Sequence, residues 1–258
     1  MLNPQLTRSV RAELVRTAGR GALWSVLVPT AILAPTAISF LIAFVAERFA
    51  AIPGQQYVQT VATSNAAYWV VTITVVLSAV AAAYGQSSQY RHGTMAYVGL
   101  ALPQRWVAMI GTWLFYGVVG AAASVLALVL VLVGLPIVSG LVYGEVSIVD
   151  PVGLRLLWAV PVYAFFAAGL GVGVGTLIRT PAAAVGAILF WAYVIESAVG
   201  FLPGGYSAQR FMPFLNGVYG TGQDIVLTPP WGPDAGLAFG CAAFTCVFII
   251  SLKRSDTT

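Results

Sequence analysis

The stretch 107–133 reads VAMIGTWLFYGVVGAAASVLALVLVLV and carries no charged residue. A bilayer's hydrocarbon core is about 30 Å thick, and about 20 apolar residues in a helix cross it. The stretch is therefore long enough to span a membrane. Working outward, five more apolar runs stand at 22–46, 66–84, 156–178, 182–203 and 235–252. The expected fold is an all-α membrane protein, a single transmembrane domain over 1–258. Composition agrees: 59% of the 258 residues are hydrophobic and 8% are charged, against about 25% charged in soluble domains. The first run is not a cleaved signal, being longer than an h-region and lacking a small-x-small site behind it. Pro29, Pro35 and Pro161 are expected to kink their helices, with neighbouring helices satisfying the freed backbone groups.

Orientation follows from the basic residues between the spans. With the N-terminus inside, Arg8, Arg11, Arg16, Arg20, Arg91, Arg105, Arg179, Lys253 and Arg254 fall inside. Only Arg48, Arg155 and Arg210 fall outside, together with the acids Glu47, Glu145, Asp150, Asp224 and Asp234. Both termini are thus expected in the cytoplasm. The net charge of +4 is spread between apolar segments and forms no patch, so no nucleic-acid partner is expected.

Before the first span, residues 5–20 form an amphipathic segment. Leu6, Val10, Leu14 and Ala18 recur every fourth residue, while Arg8, Arg11 and Arg16 lie off that stripe. This predicts a basic helix lying in the inner interface, either a plain anchor or a lever to a cytoplasmic partner.

Much chemistry is excluded. With Lys253 the only lysine and Arg254 after it, no phosphate-binding G-x-x-x-x-G-K-[ST] loop exists. No G-x-S-x-G, H-E-x-x-H or paired intramembrane carboxylates occur. A zinc site of His and Cys ligands could use only His92, Cys241 and Cys246, and the two Cys lie far from His92 in sequence. Cys241 and Cys246 point about 140° apart on one helix and cannot pair with each other. Transporters driven by protons or sodium bury several ionisable groups at mid-membrane. Only Glu196 lies well inside a span here, about 21 Å past Ala182 at 1.5 Å per residue. It is either a polar point on a translocation path or a structural partner of Arg210 or of a backbone donor in the external segment. A conduit with no energy source of its own implies a subunit driven by another protein.

Several other segments carry a reading. Gly169, Gly171, Gly173 and Gly175 form two overlapping small-xxx-small pairs, expected to pack helices closely within the subunit. The segment 204–233 should lie outside. It holds Phe211, Phe214, Trp231, Pro213, Pro229 and Pro230, too apolar for a free loop, and should pack on helix ends or dip into the interface. Trp24, Trp69, Tyr84, Trp106 and Trp158 fit an interfacial aromatic belt.

The polar segment 85–106 contains Gln89-Tyr90-Arg91-His92-Gly93-Thr94, then Leu102-Pro103-Gln104-Arg105. Taken alone it is a solvated cytoplasmic turn. Its pattern resembles the corresponding loop of ABC-2 type permeases, the membrane subunits of one class of ABC exporters. Tyr90, Arg91, Gly93, Thr94, Pro103 and Arg105 match, and Gln89 stands where an acid is usual. Arg11-Ala12-Glu13-Leu14 resembles that family's N-terminal elbow. Gly169 to Arg179, followed by Thr180 and the alanines 182–184, resembles its Gly-rich fourth helix and the start of its fifth. Arg210-Phe211-Met212-Pro213 resembles its external segment.

The resemblance implies a type V exporter-like fold in a bacterial plasma membrane. The bias to Arg, Ala, Val and Gly suits a GC-rich actinobacterial genome. Two six-span subunits, identical or paralogous, would enclose the pore, and two ATPase subunits would bind ATP and Mg, with no cofactor in this chain. Residues Gln89, Tyr90, Arg91, His92, Gly93 and Thr94 would be the coupling helix seated in the ATPase. The other readings are a non-transporting scaffold or sensor of the same fold and, with no catalytic cluster to support it, a membrane enzyme.

Overall fold

A computed structural model describes residues 4–18, 21–52, 60–94, 97, 104–224 and 229–256. Among these residues there are helices and no strands. Six helices are long and apolar enough to cross a membrane. The elements are α1 (Pro4–Thr17), α2 (Leu23–Ala50), α3 (Val70–Arg91), α4 (Arg105–Val138), α5 (Pro151–Leu177), α6 (Pro181–Phe201), α7 (Pro213–Gly220) and α8 (Pro233–Asp256). The long helices are α2, α3, α4, α5, α6 and α8.

Their order of burial sets the architecture. α5 packs against α3, α4 and α8, and α6 leans on α3. The most apolar window of α3 is 78% buried, whereas those of α2 and α6 are 22% and 17% buried. α3 is therefore a core helix walled by its own chain, and α2 and α6 turn most of their apolar surface outward. The glycines of α5 permit this closeness. A Cβ on Gly175 would lie 2.7 Å from the Ala83 carbonyl oxygen, and one on Gly171 would collide with that of Ala79, both on α3. Gly169 faces Trp113 of α4, and Gly173 faces the Phe248 backbone of α8. All four glycines thus pack inside the subunit.

Segments expected on one side of the membrane meet at one end of the bundle. At the end holding Ala50 and Pro151, Ser139 donates to Glu47 at 2.6 Å and Ser64 to Asp224 at 2.8 Å. At the opposite end, α1 lies against α4. They are called the outer and inner ends, after the orientation expected from the arginine count.

Three helices contain a widened π-turn: Leu23–Leu27 in α2, Val70–Thr74 in α3 and Trp191–Ile195 in α6. The turn in α2 immediately precedes Pro29, which has no N–H with which to close an ordinary turn. Pro35 and Pro161 lie inside α2 and α5.

The structure departs from the sequence reading in two places. α3 does not end at Tyr84 but runs on to Arg91, so the first turns of the expected loop 85–106 are helix. Gln86, Ser87 and Gln89 are buried against the protein, where apolarity no longer marks the end of a helix. The face that α1 turns to the bundle is also not the apolar stripe. It is Ser9, Glu13 and Thr17, while Leu14 and Ala18 stay exposed.

Candidate functional site

Two places concentrate polar groups in this apolar chain, one at each end of the bundle. At the inner end, Glu13 of α1 is buried. Its Oε1 accepts from Gln89 Nε2 of α3 at 2.8 Å and from Thr112 Oγ1 of α4 at 3.0 Å. Its Oε2 is paired with the Arg16 guanidinium. Arg16 also donates to the Gly85 carbonyl of α3 at 3.1 Å and to the Tyr116 hydroxyl of α4 at 3.4 Å. Burial works against the Arg16 charge, but Glu13 and Tyr116 together outweigh it and hold the guanidinium above its ordinary pKa. The elbow helix is thereby bolted to the inner ends of two long helices.

The expected coupling residues divide around this network. Gln89 turns inward to Glu13 and offers no surface to a partner. Tyr90 is half-buried, and the Arg179 guanidinium lies 5.4 Å from its ring centroid. The short turn before α6 and the end of α3 therefore meet. Arg91, His92, Gly93 and Thr94 are exposed. Gly93 has φ +68°, a left-handed conformation that ends a helix with little strain only in glycine. The Thr94 hydroxyl donates back to the Gln89 carbonyl at 3.2 Å and closes the end of α3. Met95, Leu102, Pro103 and Arg20 lie outside the described residues, as does the side chain of Arg105.

At the outer end lies Glu196, buried in α6. Oε1 accepts from the Phe214 backbone N–H at 2.9 Å and from Trp191 Nε1 at 3.1 Å, and Oε2 accepts from the Leu215 N–H at 2.9 Å. Phe214 and Leu215 open α7, so the carboxylate caps that helix at the positive end of its dipole. The other end is held by opposite charge. Arg155 donates to the Gly220 carbonyl at 2.9 Å and to Asp234 at 2.7 Å. Arg210 makes no ion pair with Glu196 among the described residues; the partner is the backbone of the external segment.

That segment is a re-entrant turn. A Cβ on Gly240 would lie 2.9 Å from the Pro213 carbonyl, and one on Gly220 would meet the Leu237 backbone. α7 therefore runs antiparallel to the first half of α8. Buried irregular backbone needs internal partners, and side chains supply them. Gln209 donates to the Glu196 carbonyl at 3.0 Å, and Asn216 donates to the carbonyls of Arg210 and Met212 at 2.8 Å each.

Beside Glu196 is a cavity of about 220 Å³ bounded by α3, α5, α6 and α7. Tyr68, Thr72, Tyr163, Tyr193, Ser197 and Gln209 line it together with aliphatic side chains. The π-turns of α3 and α6 face one another across it, and the Tyr193 hydroxyl of one donates to the Thr72 carbonyl of the other at 3.2 Å. Sequence reading missed this cavity and the role of Glu13. Only the recurrence of Ser9, Glu13 and Thr17 at steps of four signalled the latter.

Among the described residues no cluster of His, Cys, Asp and Glu could hold a metal ion. Searches against protein-family models, curated proteins and solved structures return no match for this chain.

Proposed function

We propose that this chain is the membrane-spanning permease subunit of an ATP-driven exporter of the ABC-2 type. In this reading it works in a bacterial plasma membrane with both termini in the cytoplasm. It pairs with a second six-span subunit, identical or paralogous, and is driven by two ATPase subunits that bind ATP and Mg.

The observation that supports this best is the inner end of α3. Arg91, His92 and Gly93 stand exposed at the tip of a helix whose last turns are tied through Gln89 and the Gly85 carbonyl to α1, and through α1 to α4. In this reading a load applied at that tip is not absorbed by local bending. It is passed to two spans and the elbow together, as a switch driven from outside the membrane requires. The elbow then acts as a strut within the coupling surface as well as an anchor.

The test is reconstitution in liposomes with the proposed ATPase partner. ATP hydrolysis should depend on the chain, and Arg91→Glu should lower ATPase binding or uncouple hydrolysis from transport while insertion stays normal. Anchor residues at interfaces typically contribute about 2 kcal/mol, roughly 30-fold in affinity. Hydrolysis indifferent to the presence of this chain would overturn the reading.

A further inference from the structure

The outer cavity has a lining with one electrostatic sense. Glu196 sits in its wall, 5% exposed, and its charge meets three N–H dipoles and no cation among the described residues. Oε2 accepts only one of those N–H groups. The Tyr193 hydroxyl donates to the Thr72 carbonyl, which leaves its oxygen and its exposed ring face as what it offers a ligand, whereas Tyr163 is buried, donates to the Phe214 carbonyl and stacks on Phe244. No Lys, Arg or His is among the lining residues. The charged and aromatic groups of the lining therefore favour positive charge, a carboxylate beside tyrosine oxygens and ring faces, the combination that receives organic ammonium ions, while Ser197 and Gln209 are neutral and can donate or accept.

The shape narrows the choice. About 220 Å³ is below the usual range for a drug-sized ligand and suits a head group with its first methylenes. Tyr68, Tyr193 and Ser197 are exposed at the mouth, and α6, which carries Tyr193 and Ser197, turns most of its apolar surface outward, so an alkyl tail can remain in a hydrophobic medium while the head enters. Two π-turns form opposite walls. Such turns are frequent at functional sites because they re-aim side chains. The turn in α6 sets Trp191 and Glu196, five residues apart, close enough to hydrogen-bond; on a regular helix they would point about 140° apart.

We propose that this cavity binds the ammonium head of an amphiphilic organic cation, and that such amphiphiles are the class of substrate this chain handles. The assignment of substrate class rests on the exporter reading above, whereas binding itself does not.

The test is calorimetric binding of hexyltrimethylammonium to the purified full chain in phosphatidylglycerol nanodiscs, with hexanesulfonate as the charge-reversed probe. The ammonium should bind saturably and the sulfonate should not. Because Glu196→Gln can also loosen α7, the charge series is placed at exposed Ser197. Ser197→Lys should weaken binding about ten-fold or more, and Ser197→Asp should strengthen it, with thermal stability unchanged. Repeating the titration in phosphatidylcholine nanodiscs separates the sources of the ammonium. Competition there identifies a lipid head group as the occupant, and undiminished binding identifies a free amphiphile. Equal binding of both probes, or indifference to charge at position 197, would overturn the proposal. No ATPase is present, so this failure is distinct from failure of the exporter reading, which is measured by hydrolysis.

Discussion

Glu13 is held by Gln89 of α3, Thr112 of α4 and Arg16 of its own helix. Removing the carboxylate strands a buried amide and leaves a part-buried guanidinium without its counter-charge. Leaving buried groups unsatisfied costs about 1–3 kcal/mol. Glu13→Ala is therefore expected to destabilise the folded chain by about 2–3 kcal/mol, read from denaturant unfolding in mixed micelles. Gln89→Ala on the Glu13→Ala background should add less than it costs alone, because the partner is already gone; full additivity would mean that the two side chains do not interact. Such a hub is hard to read from sequence. Glu13 lies in a basic segment that resembles a surface helix, and Gln89 reads as the start of a solvated loop. Each is explained only by the other, 76 residues away. Glu196 is more legible: its place near the end of a long apolar helix follows from counting residues, and a backbone donor in the segment 204–233 is among its expected partners. Which donors these are depends on the re-entrant path of α7.

At the level of helices, close contact between α3 and α5 depends on Gly171 and Gly175. Gly175→Leu should push the two helices apart and sharply reduce folded yield, as assayed by size-exclusion chromatography. Gly186 of α6 provides the control, since a Cβ there meets nothing within 4 Å; Gly186→Leu should leave the monomer folded. Equal loss in both variants would point to a general cost of bulk on glycine rather than to the α3–α5 contact. α7 gives a second expectation. Arg155→Met removes the charge at its C-terminal end and the pair with Asp234. Hydrogen exchange at Val218 and Gly220 should then rise by about ten-fold or more, consistent with loss of a charged hydrogen bond of about 1.5–3 kcal/mol, while α3 and α4 keep their protection. Apolar runs located all six long helices in the sequence, because length and hydrophobicity are local properties. The inner end of α3 escaped them because buried Gln86, Ser87 and Gln89 look like water-facing residues. The three π-turns escaped because one widened turn leaves no period to count.

For the whole molecule, sidedness is the expectation on which the exporter reading stands. In a chain with Cys241 and Cys246 replaced by Ser, His92→Cys should react with an impermeant maleimide only after the cells are opened. Val149→Cys, at a position 75% exposed, should react in intact cells. The reverse pattern would invert the chain and remove the coupling surface from the ATPase. The re-entrant α7 also bears on how the molecule is made. With 8 residues it is far too short to cross a bilayer. It rests against α8 along its length and is held at its ends by α5 and α6. During synthesis it emerges before α8, when the hydrophobic wall that receives it does not yet exist. The outer cavity therefore closes only once α8 has docked, and a ribosome stalled before α8 would leave five long helices and an outer pocket whose fourth wall is not yet seated.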